Sequence, residues 1–286
     1  MGLISYVARV AAFSAFAALS GTGAYTAQSV GVGKGWLIIH GGGELSDELK
    51  QRFVALAGGS DANIVFIPTA LSDEEIGKAW FFRGRGRGVL GSWGINPDHV
   101  TMLHTRDKAV ANSEYFIETL RNASGVVIWG GRQWRLADAY LDTAVERGIK
   151  ELVARGGVVF GFSAGATIQG SFLVRGDPKT NKIMISSGHE RGFGLLPASA
   201  IDQHVNARAR ERDLLQVVKE HPELLGIGID EGAWIEVHGN SFTVFGGRVG
   251  IYDLIRDRSY YFLSPGQSFD LRCVHVVGPC KAGDKP

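Results

Sequence analysis

Short apolar runs recur along the first part of this chain, too brief to be helices and spaced by amphipathic stretches. They are Trp36-Leu37-Ile38-Ile39, Asn63-Ile64-Val65-Phe66-Ile67, Gly125-Val126-Val127-Ile128-Trp129 and Gly157-Val158-Val159-Phe160. Runs of this length without polar alternation are strands buried on both faces, so the rhythm predicts βα units around a mostly parallel sheet and an α/β fold. Between the third and fourth runs, Leu136, Tyr140, Leu141, Ala144, Ile149 and Leu152 recur at helical spacing, with Asp138, Asp142, Glu146 and Arg147 opposite. That predicts one amphipathic helix packed on the sheet. After about residue 224 the texture changes to Trp234-Ile235-Glu236-Val237, Phe242-Thr243-Val244-Phe245 and Tyr260-Tyr261-Phe262, separated by glycines and Gly239-Asn240. These read as antiparallel strands at the C-terminal end of the fold.

With 286 residues, 45% of them hydrophobic, the chain can bury a substantial core. No repeat or linker divides it, so residues 28–286 are expected to form one domain. Lys+Arg 30 against Asp+Glu 29 leaves a net charge of +1, which implies no broad attraction to nucleic acid or to a membrane surface. Arg9 followed by the apolar residues 10–19 and then small residues has the shape of a secretory signal peptide over residues 1–27, with cleavage near Ala24 or Ala27. Its apolar core is short of the roughly 20 residues a spanning helix needs, so export to a secreted or periplasmic location without a stable membrane anchor is expected. Cys273 and Cys280 are close enough in sequence to pair in an oxidising compartment, where a bridge would stabilise the tail by roughly 2–3 kcal/mol. The run Arg83-Gly84-Arg85-Gly86-Arg87-Gly88 reads as a basic loop.

The chemistry centres on Gly161-Phe162-Ser163-Ala164-Gly165-Ala166, directly after the fourth apolar run. Small residues on both sides allow the tight strand-to-helix turn that exposes a serine hydroxyl and aims the next backbone N–H at a developing oxyanion. Ser163 is therefore the candidate nucleophile; the plainer reading of the same turn makes it a helix N-cap. Gly130-Gly131 follows the third run, and ligands of open α/β sheets bind outside the carboxyl ends of the strands. The N–H groups of Gly131 and Ala164 are thus the candidate oxyanion hole. Gln133 could be a substrate contact or simply a helix N-terminal residue. The stretch Asp202-Gln203-His204-Val205-Asn206-Ala207-Arg208-Ala209-Arg210-Glu211-Arg212 adds a base, His204, together with guanidinium groups that can clamp a carboxylate. No metal-ligand spacing or nucleotide loop appears, so no cofactor and no metal are expected.

Together, Gly130-Gly131-Arg132-Gln133-Trp134-Arg135-Leu136, the Ser163 turn, Asp202-Gln203-His204 with Arg208 and Arg210, and Gly226-Ile227-Gly228-Ile229-Asp230-Glu231-Gly232 closely resemble the motifs of the cyanophycinases among the S51 serine peptidases. The resemblance covers about residues 35–255. It implies a three-layer α/β sandwich with a mostly parallel sheet, like that of class I glutamine amidotransferases. It also implies a homodimer and an exo-acting enzyme that releases β-Asp-Arg dipeptides from cyanophycin, a poly-aspartate with arginine on each side-chain carboxyl. By that likeness Ser163 is the nucleophile, His204 the base, and Gln133, Asp202, Gln203, Arg208 and Arg210 line the substrate pocket. Asp230 and Glu231 are candidate partners for substrate arginine, or structural residues at a strand end.

The chain departs from that family where it carries Asp213 in place of a further pocket arginine, and the acid that orients His204 is not marked by a motif. Asp177 is the expected choice, with Glu190 as the other option. Three alternative readings are an esterase of the α/β-hydrolase type, suggested by His40-Gly41-Gly42-Gly43, an aspartyl dipeptidase of the same family, and a secreted polymer-binding protein without activity.

Overall fold

The structure, a computed structural model, describes residues 31–78, 86–254 and 260–274. The predicted signal peptide, Arg83 and Arg85 of the basic run, and Cys280 lie outside the described residues. In chain order the strands are β1 (Trp36–His40), β2 (Ile64–Ile67), β3 (Val100–Met102), β4 (Gly125–Ile128), β5 (Val158–Phe162), β6 (Gly170–Phe172) and β7 (Leu196–Gln203). They continue as β8 (Leu225–Ile229), β9 (Trp234–His238), β10 (Ser241–Phe245), β11 (Val249–Tyr252), β12 (Tyr260–Leu263) and β13 (Ser268–Asp270).

Two sheets result. The first has 8 strands in the order β13-β10-β9-β1-β5-β4-β2-β3, and the second has 5 in the order β12-β11-β8-β7-β6. In the first sheet, β1, β5, β4, β2 and β3 run parallel, while β9 pairs antiparallel with β1 and extends the sheet through β10 and β13. The apolar runs of the sequence are these parallel strands. Successive residues of β1 feed opposite cores, Leu37 and Ile39 on one side and Ile38 on the other, which is why the run does not alternate with polar residues.

Helices cover both faces of the first sheet, giving an α/β sandwich. Asp47–Ala57 packs Leu49, Phe53 and Ala57 on the Ile38 side, while Phe116, Leu120, Val145, Ile149 and Leu152 fill the Ile39 side. Beside those helices the Ile39 side also receives the second sheet, whose Ile201, Ile227, Ile229 and Ile251 share a core with Ile235 and Val237. The far face of the second sheet is closed by the helix Leu214–Glu220, through Leu214, Val217 and Val218 against Ala200 and Tyr252.

The C-terminal antiparallel strands predicted from sequence are therefore divided between the sheets. β9 and β10 form a hairpin about Gly239-Asn240, with His238 paired to Ser241. β11 and β12 instead complete the second sheet.

The single helix predicted between β4 and β5 is two, Gln133–Tyr140 and Ala144–Ala154. Asp142 adopts a left-handed φ of 65°, and the Thr143 hydroxyl accepts from the Val145 N–H, capping a fresh helix. The same hydroxyl donates to the Tyr140 carbonyl at 2.7 Å, so one buried side chain ends one helix and begins the next. Thr143→Ala is expected to lower stability by about 1–2 kcal/mol, seen as a lower urea midpoint at unchanged m-value.

Candidate active site

Ser163 joins β5 to the short helix Ala164–Thr167 with φ 55° and ψ −110°, a strained conformation for a residue with a side chain. The turn holds because its glycines are packed backbone to backbone. A Cβ on Gly161 would lie 2.1 Å from the Gly165 carbonyl oxygen, and one on Gly165 would lie 2.0 Å from that of Ile128. The Ser163 N–H donates to the His40 carbonyl at 3.0 Å, tying the turn to the end of β1.

His204 follows β7 in the second sheet, also at a left-handed φ of 55°. Its N–H donates to the Gly41 carbonyl at 2.8 Å, and its ring lies over Gly42, where a Cβ would be 2.1 Å from His204 Cε1. Thus the His40-Gly41-Gly42-Gly43 segment makes room for an imidazole; it is not an esterase oxyanion loop. His204 Nε2 stands 2.8 Å from Ser163 Oγ, and Nδ1 stands 2.5 Å from Glu231 Oε1. Glu231 is placed by its own N–H, which donates to Asn206 Oδ1 at 2.8 Å just beyond the end of β8.

A carboxylate can only accept, so the His204 proton sits on Nδ1 and the Nε2 lone pair faces the serine hydroxyl. Burial, with Arg208 adding to it, pulls the His204 pKa below the ordinary imidazole value against the opposing pull of Glu231. The imidazole is therefore neutral near neutral pH and free to accept the serine proton.

The carboxylate on His204 thus corrects the expectation of Asp177 or Glu190. Asp177 Oδ1 is occupied with the N–H groups of Lys179 and Thr180, both at 2.8 Å, so it closes its own turn. Glu190 is exposed, and its carbonyl accepts from the Leu173 N–H. Glu231 was expected to meet substrate arginine or to be structural at a strand end, and it orients the base instead; the available signal was its position just past an apolar strand, like that of Ser163.

Gly130 lies against Ser163, since a Cβ on it would be 3.2 Å from Ser163 Cβ. Gly131 has φ 143° and abuts the Ala70 carbonyl, where a Cβ would be 2.3 Å away. Among the described residues, neither the Gly131 nor the Ala164 N–H is used in a turn or loop hydrogen bond. Gln133 is buried and its amide donates to the Val174 carbonyl at 2.9 Å. The Gln203 side-chain oxygen is buried without a partner among the described residues.

Asp202 departs from the expected pocket-lining role. It is fully buried and held bidentately by Arg175, at 2.9 and 2.8 Å, so its carboxylate faces a guanidinium of the chain itself. Arg175 reaches on to Asp213 at 2.6 Å, in the position where a pocket arginine was expected. Burial pulls Arg175 down, but Asp202 and Asp213 more than offset it and hold its pKa above the ordinary guanidinium value. Nothing in the sequence pattern singled out Arg175.

Arg210 is likewise buried and turned inward, donating to the Gln203 carbonyl at 3.0 Å; burial lowers its pKa to about 10. Arg208 is exposed, and among the described residues it has no ion-pair partner. Asp230 is occupied by Arg248 at 3.1 Å and by the Asn206 N–H, so it is structural.

The model for peptidase family S51 matches residues 37–245. The chain belongs to peptidase family S51. A cyanophycinase of Geminocystis herdmanii is 30% identical over 218 residues, covering 72% of this chain and 77% of that protein. A cyanophycinase of Synechococcus elongatus is 29% identical over 278 residues, 86% of this chain and 82% of that one. A peptidase E of Escherichia coli is 27% identical over 225 residues, 75% and 85% respectively. The solved structure of a peptidase from an acI-B1 Actinobacterium superimposes with a TM-score of 0.64 at 23% identity, covering 84% of this chain and 98% of that one, and shares the fold. This S51 peptidase is a serine-type hydrolase.

His40, buried at the end of β1, accepts the Gly42 N–H on Nδ1 at 3.0 Å, and burial lowers its pKa from 6.5 to about 4. Below pH 6.5 the unfolded chain binds a proton that the folded S51 peptidase does not, so stability falls as the pH drops from there to about 4. Unfolding free energies from urea titrations are expected to fall by up to about 3 kcal/mol across this range, and His40→Asn is expected to flatten the dependence.

Proposed function

We propose that this S51 peptidase is an exported cyanophycinase that removes β-Asp-Arg dipeptides from its polymer, with Ser163, His204 and Glu231 as its catalytic residues. The observation that carries the substrate reading is Arg208. It is an exposed cation without an ion-pair partner among the described residues, close enough to depress the His204 pKa, and its N–H donates to the His204 carbonyl at 3.1 Å. In such a polymer the aspartate α-carboxyl is in the scissile backbone bond and its side-chain carboxyl in the bond to arginine, so each unit keeps a free carboxylate on its arginine, which an ordinary peptide lacks beside the scissile bond. Arg208 would bind that carboxylate, whereas an ordinary peptide would leave it unpaired. The N-terminal signal-peptide pattern supports export, since a polymer of this size must be degraded where it lies.

In the proposed reaction, Ser163 Oγ attacks the scissile carbonyl as His204 Nε2 takes the hydroxyl proton. Glu231 holds the Nδ1–H and stabilises the imidazolium. The Gly131 and Ala164 N–H groups receive the oxyanion. His204 then returns the proton to the leaving amine, and water releases the acyl group by the same steps in reverse. A dipeptidase acting on small aspartyl substrates is the second reading, favoured by the likeness to peptidase E.

Mass spectrometry of soluble products from cyanophycin tests the substrate. Release of β-Asp-Arg by residues 25–286 and not by its Ser163→Ala variant is the expected result. Absence of the dipeptide from both overturns the substrate assignment and directs the assay to small aspartyl dipeptides. For the acid, Glu231→Gln is expected to lower kcat by about 10³–10⁴-fold through loss of the imidazole tautomer, whereas Asp177→Asn leaves kcat unchanged. The acid limb of kcat/KM should lie below the ordinary imidazole value, because burial lowers the His204 pKa.

A further inference from the structure

A cavity of about 460 Å³ has Asp73, Arg106, Trp134, Arg135 and Asp138 in its wall. One carbonyl links its wall to Gly131 of the candidate oxyanion hole. The Ala70 carbonyl that abuts Gly131 is the same oxygen that accepts from Arg135 Nη1 at 3.0 Å. A second cavity of about 380 Å³ shares Asp138 and continues to Lys108, Asp142, His189 and Arg191. Each is within the range of about 300–1,000 Å³ typical of ligand sites.

Acidic and basic side chains interleave along this path. Asp73 pairs with Arg106 at 2.9 Å, Asp138 with His189 at 2.8 Å, and Asp142 with Arg191 at 2.5 Å. Asp73, Asp138 and Asp142 remain 72%, 54% and 69% exposed, so these pairs are solvent-screened and can exchange partners at little cost. Arg135 has no acidic hydrogen-bond partner among the described residues, and its guanidinium lies over the Trp134 ring, 5.3 Å from the ring centre.

We propose that these joined cavities bind the uncleaved part of a zwitterionic chain in which carboxylate and guanidinium recur in every unit. Ligand carboxylates take Arg135 and Arg191, and ligand guanidinium groups take Asp138 and Asp142. The proposal rests on the cyanophycin reading of the active site and extends it. The dipeptide unit at Ser163 is recognised by Arg208, while the preference for long chains over short ones arises along this groove.

Oligomers of two and of six β-Asp-Arg units, titrated by calorimetry into the Ser163→Ala protein, test the groove without turnover. The six-unit oligomer is expected to bind about tenfold tighter than the two-unit one, a difference of about 1.4 kcal/mol. Asp138→Lys and, separately, Arg191→Glu should remove that excess while leaving the two-unit affinity in place. Both side chains are at the surface, and retained two-unit binding also reports an intact fold. No excess for the longer oligomer, or an excess that neither variant changes, overturns the groove. If the excess behaves as expected but the unmutated protein releases no dipeptide, the groove stands and the catalytic assignment alone fails.

Discussion

The close approach of the His204 ring to the bare Cα of Gly42 is the contact on which this structure turns. It helps to seat two sheets that share a core but no strand pairing. The segment after β1 gives its Gly41 carbonyl to the His204 N–H, its Gly42 carbonyl to the Gly232 N–H and its Gly41 N–H to the Ala233 carbonyl. The carboxyl ends of β1, β5, β7 and β8 are thereby brought together, and any side chain at Gly42 would displace the imidazole. Shared apolar packing from Ile39, Ile229 and Ile235 supplies the bulk of that junction, but it has no direction; the backbone hydrogen bonds and the missing Cβ set the register.

A second constraint lies beneath the site. Arg175 is buried at a left-handed φ of 57° and binds Asp202 and Asp213 together. Burying such a group is costly unless every charge is answered, and the network answers it at the end of β7, one residue before Gln203 and two before His204. Its contribution is best understood as positional, because the pair fixes where the base leaves the sheet. The carboxylate that the family likeness assigned to substrate is used for this purpose instead.

Much of the fold was legible because the parallel strands are buried on both faces and therefore have no polar alternation. The Ser163 turn was equally legible, since glycine at both Gly161 and Gly165 has a local steric cause that sequence displays. The second sheet was not. β7 contains Pro197, Ala198 and Ser199 and has no apolar run, because part of its interior is filled by the Arg175 ion pairs. The helix break at Asp142 was hidden for a related reason. The apolar spacing continues through it with little phase error, and only the capping by Thr143 separates the two segments. Glu231 escaped because its partner is 27 residues away in sequence and comes from a different strand.

Nucleophile and base are carried on different sheets, so the gap between Ser163 Oγ and His204 Nε2 gauges how the two sheets are seated. Proton transfer depends steeply on that gap, so a shift too small to break the backbone hydrogen bonds of the junction still matters to it. Turnover therefore works as a sensitive gauge of inter-sheet alignment. A substitution deep in the junction can leave the melting temperature nearly untouched and still be felt at the serine, far from any substrate contact.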